Sequence, residues 1–277
     1  LCPPILEPVG ILTAVREELL PISRRMRPHR WDSAPIPHSH GPLGPLSLRC
    51  CIGSLGGVQA VAARSGMGVV RAQHAAQCLI RQYHIQCLVI AGFASGLRRG
   101  VSPGTIVVAD GVLWPASSPS EACNAGESGI CLARPDPVML DAALHTSASS
   151  PVVAGGILTL YELLSDPSAK ASAGNLAPGA VAADMETAGA VWAAMEAGIP
   201  WIAIRCITDG AHDKLPLPFD RYIGPDGEVS RARLPAAILR TPTSLAGLAR
   251  LGVRSLRGAG KLAAFVEELL QNLRSRQ

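Results

Sequence analysis

The sequence predicts an α/β protein, a three-layer α/β/α sandwich around a central twisted, mostly parallel (mixed) sheet. Short continuous apolar runs such as "CLVIAG" (87–92) and "WIAIRCI" (201–207) read as strands buried on both faces. Between them lie stretches with apolar residues at helical spacing, for example "VVRAQHAAQCLIRQYH" from residue 69. Two of the runs end in small residues, "ASG" at 94–96 and "TDG" at 208–210, and the carboxyl ends of parallel strands are where such sheets bind ligands.

Taken in order, "VGILTAV" (9–15) is a strand feeding a turn or helix start at "REELLPI", with Glu17 and Glu18 at the junction. The segment "RRMRPHRWDSAPIPHSHGPLGP" (24–45) is expected to be a loop, because proline blocks both a helix and a central strand. His38 and His40 fall in it with no third ligand nearby, so they read as solvated loop residues rather than a metal site. "SLRCCIGS" and "VQAVAARSGMG" are two strands joined by the Gly56-Gly57 turn, followed by the helix from 69 and the strand "IQCLVIAGFASG". "GTIVVADGVLW" is another strand, and residues 115–135 are a Ser-, Pro- and Gly-rich loop. "VMLDAALHTS" predicts a helix, "PVVAGGILTL" a strand and "AADMETAGAVWAAMEAG" (182–198) a helix stopped by Gly198 and Pro200. "WIAIRCITDG" is the last core strand.

With 277 residues, 48% of them hydrophobic, the chain can bury a sizeable core. No apolar run reaches the roughly 18 residues that span a bilayer, and "LCPPILEPVG" lacks the pattern of a signal peptide, so a cytoplasmic location is expected. The eight cysteines show no C-x-x-C pair and no repeated Cys/His spacing, which argues against zinc and against a disulfide framework. A net charge of +4 and few aromatic residues offer no platform for nucleic acid. The charge is uneven: from Arg231 to Arg276 nine Lys or Arg face only Glu267 and Glu268. Such a tail suits either a helix packed on the domain or peripheral contact with an anionic membrane. The expected division is a catalytic domain over 1–212 and a basic helical extension over 213–277.

"SGMGVVR" (65–71) departs from the dinucleotide fingerprint where Arg71 replaces its third glycine, but a Gly-rich turn still presents N–H groups to a ligand. "GFASG" is no nucleophile elbow, since Ser95 stands one place too late. Asp184 and Glu186 could serve a helix start and Asp209 a turn. Their occurrence together with Glu17, Glu18 and two Gly-rich strand tips points instead to a shared site.

In chain order, "GILTAVREEL", "SGMGVVRA", "VIAGFASGLRRGVSPGTIVVAD" and "VAADMETAGAVWAAMEAGIPWIAIRCITDGA" resemble the superfamily of purine nucleoside phosphorylases and methylthioadenosine/adenosylhomocysteine nucleosidases. The resemblance implies cleavage of a purine–ribose N-glycosidic bond, with no metal or organic cofactor and with phosphate possible as a co-substrate. It makes Asp209 the general acid toward the purine, in a protonated form that loss of water at a strand tip favours. Glu186 would hold ribose hydroxyls with Met185 beneath the sugar, and Glu18, or Glu17 one place away, would activate water. Phe93 and Ala94 would face the sugar, and Leu163 would stand where the family often stacks a phenylalanine on the purine. Adjacent carboxylates in "REE" favour hydrolysis over phosphorolysis, although Arg16 and Arg24 lie close in sequence. The segment from Asp213 resembles the hopanoid-associated, phosphorylase-like subfamily, which implies a nucleoside-lipid substrate, adenosylhopane, with soluble nucleosides such as methylthioadenosine as the alternative. A homo-oligomer is also implied. A non-catalytic nucleoside-binding protein on the same fold is the reading from a different class.

Overall fold

The structure is a computed structural model and describes residues 7–41, 44–116, 129–224, 227 and 244–276. The strands are β1 (Val9–Thr13), β2 (His29–Gly41), β3 (Gly44–Leu55), β4 (Val58–Arg64), β5 (Cys87–Gly96), β6 (Ile106–Pro115), β7 (Ile130–Ala133), β8 (Val152–Thr159), β9 (Ala180–Asp184) and β10 (Trp201–Asp209). The helices are α1 (Arg16–Arg25), α2 (Val69–Tyr83), α3 (Pro137–Leu144), α4 (Pro167–Leu176), α5 (Thr187–Ala197) and α6 (Ser244–Ser275). The strands form one mixed sheet in the order β10-β6-β8-β9-β5-β1-β4-β3-β2, with β7 on β6. Its central pairs β4–β1–β5–β10 are parallel, and β10 turns to pair antiparallel with β6.

Two apolar clusters occupy the two faces of the sheet, which makes the architecture three-layered. One joins the sheet to α2 and α5 through residues such as Leu79, Ala188 and Val191. The other gathers Ile11, Val89 and Ile204 with Leu19 and Ile22 of α1, Met139 of α3 and Leu262, Phe265, Val266 and Leu269 of α6. The second half of α6 is thus built into the main core. Its first half instead exposes Leu245, Val253 and Leu256, the last 69% exposed. Among the described residues no helix is long and apolar enough to cross a membrane.

The structure corrects several of the expectations drawn from the sequence. The proline-rich segment 24–45 is not a loop: it closes α1 and forms β2 and the start of β3. Its prolines are tolerated because β2 is the edge strand and needs partners on one side only. The side chains of His38 and His40 lie outside the described residues. Within 115–135, Ile130–Ala133 pairs with β6 as β7, and residues 117–128 lie outside the described residues. Residues 182–184 end strand β9 rather than opening a helix; alanine's weak strand preference hid a strand that tertiary pairing with β8 imposes. Helix α5 then runs from Thr187 to Ala197 and closes on Gly198, whose φ of 66° is a left-handed cap. Helix α4 was not anticipated, yet "SDPSAK" carries its start signal: Asp166 accepts from the amides of Ser168 and Ala169, with Pro167 in the first turn.

Candidate active site

A cavity of about 240 Å³ opens where the carboxyl ends of β1, β5, β9 and β10 converge. Glu18, Asp184, Glu186 and Asp209 supply four carboxylates to its wall, and Phe93, Ala94, Leu163 and Met185 supply apolar surface. All seven residues singled out from the sequence as catalytic or substrate-binding therefore line one space. Glu17 does not, so the geometry separates the two adjacent acids in favour of Glu18. No described lysine or arginine contributes to the wall.

Glu18 is the third residue of α1 and turns its carboxylate back over the end of β1. One oxygen accepts from the amide of Phe93 at 2.7 Å; the other accepts from Ala14 at 2.7 Å and Val15 at 3.0 Å. Burial pushes its pKa above the usual carboxylate range, and the Arg205 charge and the three amides offset only part of that. The result is a carboxylate of raised basicity, rigidly aimed.

Arg205 is the counter-ion of the acidic cluster and was not recognised from the sequence, because in "AIRCITD" it looks like an interruption of a buried strand. It is 1% exposed. Its guanidinium lies 2.7 Å from Asp184 and donates to the Thr187 hydroxyl from Nε at 3.1 Å and Nη2 at 2.6 Å. Thr159 also donates to Asp184, at 2.8 Å, and Thr187 does so as well. The guanidinium crosses β5 at Gly92, its register partner: a Cβ there would stand 2.0 Å from Nη1 and 3.0 Å from the Glu18 carboxylate. Only glycine leaves that space.

Glu186, between β9 and α5, accepts from the amide of Gly68 at 2.9 Å. Gly68 has a φ of 110°, which suits glycine, so the Gly-rich turn after β4 spends its N–H on this acid. Burial, then the neighbouring Asp184 charge, pushes the Glu186 pKa up to about 7 against the pull of Arg205.

Asp209 sits at the tip of β10. Its Oδ1 accepts from Thr208 at 2.7 Å; its Oδ2 accepts from Ser95 at 2.8 Å and from the Lys170 ammonium at 2.5 Å. Lys170, on α4, is fully buried and was also missed, standing alone among Pro, Ser and Ala where no pattern marks it. Strand β5 serves both ends of the site: Phe93 binds Glu18 and Ser95 binds Asp209 two residues on, about 7 Å along a strand. Phe219, Leu251 and Ser255 complete the wall from the segment after Asp213, in which no residue was singled out for the site, and Phe219 supplies an aromatic ring besides the expected aliphatic Leu163.

A buried, acid-lined pocket at the strand ends of a three-layer mixed sheet defines an α/β protein built to hold a small polar molecule. The chain belongs to the phosphorylase superfamily, whose family model matches residues 8–240. It is 28% identical over 223 residues to a 5'-methylthioadenosine/S-adenosylhomocysteine nucleosidase of Shewanella halifaxensis, covering 78% of this chain and 91% of the relative. Among solved structures it is similar to the nucleosidase of that type from Neisseria meningitidis in complex with methylthio-immucillin-A, with a TM-score of 0.70, 18% identity and coverage of 95% and 98% of the two chains. It is also similar to the futalosine hydrolase of Helicobacter pylori, with a TM-score of 0.68, 16% identity and coverage of 95% and 96%.

Proposed function

We propose that the protein hydrolyses the N-glycosidic bond of a soluble purine ribosyl compound, a 5'-substituted adenosine of the methylthioadenosine type. The observation that carries this reading is the wall itself, which has four carboxylates and no described cation. Asp184 and Asp209 are balanced by Arg205 and Lys170 behind the wall, so Glu18 and Glu186 are the two acids whose charge favours a sugar that becomes positive and disfavours phosphate. Water is therefore the nucleophile.

In this reading the ribose lies between Glu18 and Asp209, with Met185 and Phe93 against its apolar faces. Glu186 binds the vicinal hydroxyls and places negative charge near the anomeric carbon as it gains oxocarbenium character. The C1'–N9 bond breaks, its electron pair goes to the purine, and Asp209 delivers a proton to N7 so that the base leaves neutral. Glu18 takes a proton from the water that attacks C1'. Arg205 keeps three acids within one pocket at tolerable mutual repulsion. The products are the free purine and the 5'-substituted ribose.

A second reading, a nucleoside carried on a lipid such as adenosylhopane, draws on one observation. The first half of α6 places Leu251 and Ser255 in the cavity wall while its other side exposes Leu245, Val253 and Leu256 beside Arg250 and Arg257. That face suits an anionic membrane surface. The experiment is adenine release by purified protein from methylthioadenosine and from adenosylhopane, each with and without phosphate. Phosphate-independent release from methylthioadenosine is expected. Strict phosphate dependence would overturn hydrolysis, release from the lipid alone would favour the second reading, and adenine binding without release from either would leave a binding protein.

A further inference from the structure

We infer that Lys170 is a positioning residue for departure of the purine, compensating the Asp209 carboxylate that proton donation leaves behind. The inference rests on the glycosidase reading above and adds a residue to it. Lys170 is the only lysine or arginine in a described hydrogen bond with Asp209, and none of its surface reaches solvent. Its ammonium makes three bonds: to Asp209 Oδ2 at 2.5 Å, to the Gly210 carbonyl at 2.9 Å and to the Asp213 carbonyl at 2.8 Å. Three acceptors converge on one nitrogen, which calls for all three of its protons. A positive charge is thus lodged behind the acid, away from the cavity wall that meets the substrate.

Burying a lysine is costly, and a core position among small residues could be filled by Met or Leu at no such cost. The charge is instead placed on the side of Asp209 opposite its Thr208-bonded oxygen. When the glycosidic bond breaks, the purine takes the electron pair and Asp209 transfers its proton to N7. The carboxylate that remains carries a full negative charge in a dry site and is held in the ion pair with Lys170 that the structure shows, so no water has to reorganise. The same residue also fixes geometry. Its two carbonyl bonds hold the 209–213 turn, and Asp213 in turn accepts from the Gly210 amide and from Arg254 of α6, the helix that supplies Leu251 and Ser255 to the wall. Lys170 thereby joins α4, the tip of β10 and α6 around the base end of the pocket.

A residue that acts through proton delivery matters only for leaving groups that need the proton. The test therefore compares two substrates in the wild type, Lys170→Met and Lys170→Arg: methylthioadenosine, and p-nitrophenyl β-D-ribofuranoside, whose phenolate leaves unprotonated. The ratio of their kcat values is expected to shift against the purine by about 100-fold in Lys170→Met. KM for methylthioadenosine should change by less, and Lys170→Arg should recover most of the ratio. Thermal unfolding is followed alongside, with Lys170→Gln as a second uncharged variant that keeps donors for the two carbonyls. Equal losses on both substrates, an unchanged ratio, or loss of the fold in both uncharged variants would reduce Lys170 to a structural tie and overturn the inference. A wild type inert toward both substrates would instead strike at the glycosidase reading.

Discussion

Replacing Glu186 by Gln should make the protein more stable at neutral and alkaline pH while impairing its function. In the folded chain the Glu186 pKa stands at about 7 against an ordinary 4.5, chiefly because the carboxyl is buried and secondarily because Asp184 is beside it. The folded state therefore binds a proton that the unfolded state has released, and stability falls as pH rises through that window. Below pH 4.5 both states are protonated and nothing is lost. Above pH 7 the full penalty applies: each tenfold difference in proton affinity between the two states is worth about 1.4 kcal/mol, so ionised Glu186 costs on the order of 3 kcal/mol, most of which accrues between pH 5 and pH 8. Glutamine keeps an oxygen for the Gly68 amide and carries no charge to desolvate. Urea unfolding of wild type and Glu186→Gln at pH 5 and pH 8 should show the variant gaining on the wild type by about that amount across the interval, whatever Glu18 adds to both. A stability difference that does not change with pH would refute the argument that burial and Asp184 hold this proton.

Two further perturbations probe the same cluster. Gly92→Ala drives a methyl to within 2.0 Å of the Arg205 guanidinium, which is buried and held by Asp184 and Thr187, so we expect a loss of about 1–3 kcal/mol in urea unfolding together with a fall in glycosidase activity. Unchanged stability would mean that Arg205 relaxes freely. Arg205→Met leaves Asp184 buried with only hydroxyl and amide donors and should cost about 3–5 kcal/mol, with part recovered in the double variant Arg205→Met/Asp184→Asn. A double-mutant cycle showing no coupling would remove Arg205 from its role as counter-ion.

The residues that meet in the cavity were legible in the sequence as types and as a family pattern, whereas their partners were not. Asp184, Glu186 and Asp209 stand out because carboxylates are out of place at the ends of runs otherwise built of Ala, Gly and Ile. Glu18 could not be told from Glu17 by sequence, since adjacent helix residues differ only in direction; the turn of α1 over β1 made the choice. The proline-rich segment misread as a loop shows the limit of a local rule: proline forbids a central strand, and whether a strand is central is a property of the sheet.

By itself the sequence determined the central strands β1, β5 and β10 and the helix α2 between them, because hydrophobic periodicity and the Gly and Pro stops are local, and it determined that the tip of β10 carries an acid. Only the tertiary structure decided which charges neutralise one another. Arg205 is bound to Asp184 across the end of the sheet, and Lys170 reaches Asp209 from a helix 39 residues earlier in the chain. Coulomb interaction depends on separation in space and on the exclusion of water, and neither is written in the order of residues along a chain.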